Sequence, residues 1–214
     1  MNVETDHGSG GKALQICVLG SEMVAGMGDP RGAGWVGRLA AQSTGDPLPQ
    51  FYPLAVYAET TAQLAGRWKE EVMRRFQPGF RHRLVIAPGI ADLTEGMSLA
   101  RSRLHLADIL DQALKLRIPS IVVGPPPGPP HLAGRIEELS MAFADVAARR
   151  GIGYVDTFTP LFPHEQWNDD LATGDGVHPS QAGYGLIAWL VLHSGWHSWL
   201  GMGLGAAAQG EQIR

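Results

Sequence analysis

The sequence predicts an α/β protein, a three-layer α/β/α sandwich around a central five-stranded parallel sheet. Two observations support this fold class. Short apolar runs, typical of buried strands, alternate along the chain with amphipathic segments typical of helices. The 214 residues are enough for one such domain with a sizeable core. We place a single domain at residues 13–201, between a flexible N-terminal tail (1–12) and a C-terminal tail (202–214).

Five apolar runs are the candidate strands, and they cover residues 13–20, 51–57, 83–89, 119–124 and 152–158. Most are continuously apolar, as in strands that are buried on both faces of a parallel sheet. Pro53 weakens the second candidate, because proline cannot donate a hydrogen bond to a neighbouring strand.

Helices are predicted after the strands, at residues 34–43, 60–76, 98–116, 131–151 and 180–200. In the second of them, Leu64, Trp68 and Val72 recur every four residues and form one apolar face. Repeated strand–helix units favour parallel strands joined by right-handed crossovers. The functional site of such a sheet lies at the carboxyl ends of its strands, so the segments there carry the functional predictions.

The composition excludes several classes of protein. The net charge of −4 gives no basic surface for nucleic acid or an anionic membrane. Cys17 is the only cysteine, so an internal disulfide and a cysteine-rich zinc site are both excluded. The N-terminus lacks the features of a signal peptide, and no apolar run could span a bilayer. We therefore expect a cytoplasmic protein without nucleic-acid binding or membrane insertion.

Blocks of sequence after the strands resemble, in order, those of the SGNH, or GDSL-type, esterase/lipase superfamily. The last block, DGVHP at 175–179, matches the family pattern Asp-x-x-His-Pro. The first block is GSEM at 20–23, where the family has Gly-Asp-Ser-Leu. The resemblance covers residues 13–195. It implies the family's α/β/α fold and a catalytic His178 that is oriented by Asp175.

The same resemblance implies that three catalytic positions are substituted. Glu22 falls on the nucleophilic serine. Ala58 stands where the family has an oxyanion-hole glycine before a Glu-Thr pair. In the block GIAD, Gly89 and Asp92 are kept, but Ala91 replaces the oxyanion-hole asparagine. The loss of one oxyanion donor typically costs about 2.7–4 kcal/mol, so ordinary ester hydrolysis through position 22 is not expected.

The leading hypothesis is a remodelled enzyme of this family that acts on a small organic substrate. Glu22 would be a base or a nucleophile, with His178 as acid/base and Asp175 as its orienting partner. The reactions considered are hydrolysis, epoxide opening, cyclisation and isomerisation. Tyr57 is a candidate proton donor to a leaving oxygen.

Two alternatives remain open at this point. The protein could be a conventional esterase or deacylase that uses Ser21 or an activated water. It could also be a non-catalytic protein that binds a small ligand, with Glu22 only favouring the start of the following helix. Asp92 has a simpler interpretation, since an Asp in a loop commonly accepts backbone N–H bonds. We expect no cofactor and no metal, because one His and two carboxylates form a weak zinc pattern.

Three tryptophans, Trp189, Trp196 and Trp199, lie near the C-terminus. The favoured interpretation is that they cover the core. A homodimer surface or an apolar edge of the substrate site are the alternatives.

Overall fold

The structure, a computed structural model, describes residues 12–202 and has the predicted α/β/α architecture. Its five-stranded sheet is parallel throughout and has the strand order β2-β1-β3-β4-β5. The strands are β1 (Leu14–Gly20), β2 (Gln50–Ala55), β3 (Arg81–Ala87), β4 (Ser120–Val123) and β5 (Gly153–Val155). All of β1 is buried, which explains its continuous apolar sequence.

Helices cover both faces of the sheet. The described helices are α1 (Gly34–Gln42), α2 (Thr61–Met73), α3 (Ala91–Thr94), α4 (Leu99–Lys115), α5 (Ala133–Ala148), α6 (Phe158–Leu161), α7 (Glu165–Ala172), α8 (Gln181–His193) and α9 (Trp196–Leu200). Two 3₁₀ turns, Glu22–Ala25 and Pro130–Leu132, complete the set. One core lies under α2, α4 and α5, and the other lies under α1, α7, α8 and α9. Alternate residues of β1 serve the two cores, as the pleat of a strand requires.

Several predicted strand boundaries are wrong. β2 ends at Ala55, before the predicted 57, and β3 covers 81–87 instead of 83–89. β5 has three residues instead of the predicted seven, because the Asp156 carboxylate accepts the N–H groups of Phe158 and Thr159 and starts α6. Pro53 does lie within β2, where it is tolerated because β2 is an edge strand.

The helix predicted at 180–200 is two helices. Gly195 has a φ of 84°, a left-handed conformation that suits glycine and breaks the helix between α8 and α9. Trp196 is buried as expected, and its indole N–H donates to the Ser43 hydroxyl (2.8 Å). The expectation that Trp189 covers the core is wrong, since 55% of this residue is exposed.

The predicted tails, 1–12 and 202–214, lie outside the described residues except for Lys12 and Met202. Within the described range, every helix is too short or too polar to cross a bilayer.

Candidate active site

The loops at the carboxyl edge of the sheet surround a cavity of about 260 Å³. Six of the nine predicted site residues line it: Ser21, Glu22, Tyr57, Ala58, Ala91 and His178. They come from the segments after β1, β2 and β3 and from the loop that precedes α8. The parallel strand order therefore brings together residues that are far apart in the sequence.

Glu22 begins the 3₁₀ turn that follows β1, and its carboxylate is the centre of the site. The Ala58 N–H donates a 2.8 Å hydrogen bond to Oε2. The other oxygen, Oε1, lies 3.6 Å from Nε2 of His178. Only 15% of the Glu22 side chain is exposed. The carboxylate thus lies between a backbone N–H donor and an imidazole.

Asp175 orients His178. Its Oδ2 is 2.5 Å from Nδ1 of His178, and its Oδ1 accepts the backbone N–H groups of His178 (2.7 Å) and Val177 (2.9 Å). These bonds, led by the backbone and side-chain bonds from His178, lower the pKa of Asp175 to about 2. The carboxylate is therefore ionised at neutral pH and only accepts, so Nδ1 carries a hydrogen. In the neutral imidazole, Nε2 then presents its lone pair to Glu22.

Nε2 of His178 is buried and has no hydrogen-bond partner among the described residues. The atom that faces it is a carboxylate oxygen, which is also an acceptor. The contact between two acceptor atoms becomes favourable when a proton or a hydrogen-bond donor lies between them. The pair is therefore suited to accepting a proton from, or donating one to, a bound molecule.

The loop after β1 packs directly against the His178 loop. A Cβ on Gly28 would lie 2.9 Å from Cβ of His178 and 2.7 Å from the Pro179 carbonyl oxygen. The φ of Gly28 is +91°, so glycine is required here for both space and conformation. The Tyr184 hydroxyl donates a 2.6 Å hydrogen bond to the Met27 carbonyl and ties α8 to the same loop.

Ala58 has a φ of +47°, a left-handed conformation that is unusual for a residue with a side chain. This conformation directs its N–H toward Glu22. Glycine would adopt the same conformation without strain. Tyr57, the residue before it, is 67% exposed at the mouth of the cavity.

Ser21 is 3% exposed and lies against Gly89, where an added Cβ would be 2.8 Å from its Oγ. Within residues 12–202, no hydrogen bond joins Ser21 to His178. Gly89 packs against Ser21 and does not line the cavity. Ser21 thus lines the cavity, and in the described part of the chain no base is bonded to its hydroxyl.

Asp92 also lies outside the cavity lining. It is buried and accepts bonds from the Thr61 N–H (2.7 Å) and the Thr61 hydroxyl (2.6 Å). These bonds tie α3 to the start of α2.

Four further residues line the cavity without any motif to indicate them: Thr94, Pro129, His131 and Leu132. The only sequence signal was position, since three of them follow β4 at the end of the proline-rich segment 125–130. Ile90 and Val177 complete the apolar part of the wall. Among residues 12–202, no group of three or more His, Cys, Asp and Glu could hold a metal ion.

Comparison with known proteins identifies similar chains. The model of the GDSL-like Lipase/Acylhydrolase family matches residues 18–186. The curated protein sequences contain no match.

Solved structures share the fold. A lipase/acylhydrolase from Enterococcus faecalis has a TM-score of 0.71 at 20% identity, over 86% of this chain and 96% of that one. An acetylxylan esterase from Geobacillus stearothermophilus has a TM-score of 0.66 at 18% identity, over 88% and 96% of the two chains. The esterase EstA from Pseudoalteromonas sp. has a TM-score of 0.68 at 16% identity, over 87% and 98%.

Proposed function

The chain belongs to the GDSL-like lipase/acylhydrolase family, and from this premise we propose that it hydrolyses a small electrophilic substrate, such as an epoxide, through an ester formed on Glu22. One observation carries the proposal. The Glu22 carboxylate lies between the Ala58 N–H and Nε2 of His178, and the sequence resemblance aligns Glu22 with the family's nucleophilic serine. Carboxylates serve as nucleophiles in enzymes that form covalent intermediates.

In the first step, Oε1 of Glu22 attacks a saturated carbon of the substrate. The carbon–oxygen bond of the epoxide breaks, and the released oxygen takes a proton from a donor in the cavity. The product of this step is an alkyl ester of Glu22. No tetrahedral oxyanion forms in this step, so having alanine instead of asparagine at position 91 does not slow it.

In the second step, His178 takes a proton from water, and the resulting hydroxide attacks the ester carbonyl carbon of Glu22. Negative charge develops on Oε2, the atom that already accepts the Ala58 N–H. The Ala58 N–H is therefore suited to stabilise the oxyanion on the enzyme's own side chain. The ester bond then breaks, the alkoxide takes the proton back from His178, and a diol leaves.

The cavity supports an uncharged substrate. Glu22 is the only carboxylate among the described residues that line it, and no Lys or Arg lines it to pair with an anion. Ile90, Leu132 and Val177 contribute apolar surface. A volume of about 260 Å³ suits a compact molecule.

A conventional esterase mechanism through Ser21 is the second candidate, because similar solved structures are esterases and Ser21 lines the same cavity. Its side chain lies against Gly89, and Glu22 is the residue that faces Nε2 of His178. The geometry therefore favours Glu22. Hydrolysis of p-nitrophenyl acetate that is lost in both Ser21→Ala and His178→Ala would support the esterase instead.

A single-turnover experiment in H₂¹⁸O tests the covalent step, with enzyme in excess over 1,2-epoxyhexane. We expect the diol to contain ¹⁶O and the Glu22 peptide to gain one ¹⁸O, because the transferred oxygen comes from the carboxylate. Labelled diol together with an unlabelled Glu22 peptide would show that water attacks the substrate directly and would refute the ester.

A variant that stops the second step provides an independent measurement. His178→Gln should accumulate the ester, seen by mass spectrometry as the added mass of the epoxide on Glu22. Exposed His193 lies outside the cavity, so His193→Gln is the matched control and should turn over normally. Glu22→Gln should form no adduct. An adduct on another residue, or none in His178→Gln, would contradict the proposal.

A further inference from the structure

His131 is an exposed residue that lines the same cavity as Glu22. It lies in the 3₁₀ turn Pro130–Leu132, which follows β4. We propose that His131 is the catalytic acid that protonates the leaving oxygen when Glu22 attacks carbon. This inference rests on the function proposed above and names the donor that its first step requires.

The turn that carries His131 is anchored to the protein core. Leu132 packs against the core under α2, α4 and α5, and its N–H donates to the Pro129 carbonyl (2.9 Å). Gly128, just before the turn, lies beside Ile136 and Ile90, where an added Cβ would be in ordinary van der Waals contact with both. Prolines at 129 and 130 restrict the backbone further. The imidazole is therefore presented to the cavity from a defined backbone position.

The strand order places His131 and Tyr57 on different sides of Glu22. Tyr57 follows β2, which is adjacent to β1 on one side. The turn of His131 follows β4, which lies on the other side of β1 beyond β3. Displacement at a saturated carbon requires the leaving oxygen to depart on the side opposite to the attacking oxygen. His131, unlike Tyr57, therefore belongs to a loop on the other side of β1 from the Ala58 N–H that binds the Glu22 carboxylate.

The chemistry of the side chains favours the same assignment. Imidazole exchanges protons near neutral pH, whereas a phenol ordinarily has a pKa of about 10. When the carbon–oxygen bond breaks, its electron pair goes to the oxygen, which takes the proton from protonated His131. The neutral imidazole that remains is exposed and regains its proton from solvent. The Thr94 hydroxyl, also in the lining, already donates to the Ala91 carbonyl (3.1 Å) and is a much weaker acid than imidazolium.

Two substrates that share Glu22 as nucleophile but differ in leaving group test this role. Opening of 1,2-epoxyhexane needs a proton, whereas 1-bromohexane releases bromide without one. We expect His131→Gln to lower the epoxide rate by about 10²-fold or more, within the usual range for a general acid. The rate of Glu22 alkylation by 1-bromohexane, followed as released bromide, should change little. His193→Gln, at an exposed histidine outside the cavity, is the matched control and should leave both rates nearly unchanged. Tyr57→Phe tests the rival donor.

Each other outcome counts against the proposal. An equal loss of both rates in His131→Gln would indicate a structural role, and no loss in either would exclude His131 as the acid. An epoxide-selective loss in Tyr57→Phe would assign the proton to Tyr57. If 1-bromohexane alkylates Glu22 in the wild type and His131→Gln is not selective, only this inference fails. If neither compound modifies wild-type Glu22, the proposed function fails as well.

Discussion

Asp170 on α7 is expected to stabilise the loop that carries His178, and its replacement by alanine should lower the free energy of unfolding by about 3 kcal/mol. Its carboxylate accepts the N–H groups of Ser180 (2.7 Å) and Gly183 (2.9 Å) and the hydroxyl of Ser180. Ser180 is the residue that precedes α8, and its own side chain makes no capping bond there. Asp170 therefore supplies the cap of α8 from another helix.

The magnitude follows from these contacts. A hydrogen bond to a charged group contributes about 1.5–3 kcal/mol, and the half-buried position of Asp170 favours the lower end of that range. The two backbone bonds together then contribute about 3 kcal/mol. The Ser180 hydroxyl can rotate to water, so it adds nothing to this figure. With an unfolding slope of up to about 3 kcal/mol per molar urea, the midpoint should fall by about 1 M or more.

Urea unfolding followed by tryptophan fluorescence measures this effect. Asp169→Ala is the matched control, because Asp169 is exposed and its carboxylate makes no hydrogen bond among the described residues; it should change stability by less than about 0.5 kcal/mol. Asp170→Asn keeps one acceptor oxygen and should fall between the two. A loss below about 1 kcal/mol in Asp170→Ala, the size of an ordinary cap, would refute the argument.

Three further predictions concern the site. Ala58→Gly should raise stability by up to about 1 kcal/mol, because the strain of a left-handed alanine exceeds the entropy cost of glycine; a loss of stability in thermal unfolding would contradict this. Glu22→Ser should give weak hydrolysis of p-nitrophenyl acetate that disappears when His178→Ala is added. Because position 91 lacks an asparagine amide, the rate should be about 10²–10³ below that of a site that has one. A rate independent of His178 would exclude a restored triad. The pKa of Asp175, lowered from 3.8 to about 2, contributes stability that is present above pH 3.8 and lost as the pH falls toward 2. The difference in unfolding free energy between wild type and Asp175→Asn should therefore shrink over that range, and a constant difference measured by urea titration would refute it.

Much of the fold follows from local patterns in the sequence. The apolar runs identified all five strands. β1 and β4 are buried along their whole length, as continuously apolar strands of a parallel sheet are, whereas the edge strands β2 and β5 are partly exposed. Boundaries were less predictable, since they depend on contacts outside the run. β5 stops early because the Asp156 side chain starts a helix, and the predicted 180–200 helix breaks at Gly195. A hydropathy pattern shows neither the side-chain bonds of Asp156 nor the left-handed backbone of Gly195.

The candidate site likewise contains contacts that the sequence predicts and contacts that depend on the fold. The contact between Asp175 and His178 joins residues three positions apart, so a short motif is enough to predict it. The bond from the Ala58 N–H to Glu22 joins residues 36 positions apart, and it depends on the left-handed backbone of Ala58. His131 has no motif and lies in the cavity only because β4 is close to β1 in the sheet.

By itself, the sequence determined the succession of strands and helices along the chain, the blocks shared with the family, and the local pairing of Asp175 with His178. The tertiary structure decided where the Glu22 carboxylate lies, that Ser21 lies against Gly89, and which side chains complete the cavity. The physical reason is how far apart in the sequence the interacting residues lie. Burial patterns and short turns depend on neighbours along the chain, whereas the partners of a side chain at the edge of a sheet depend on which strands lie side by side.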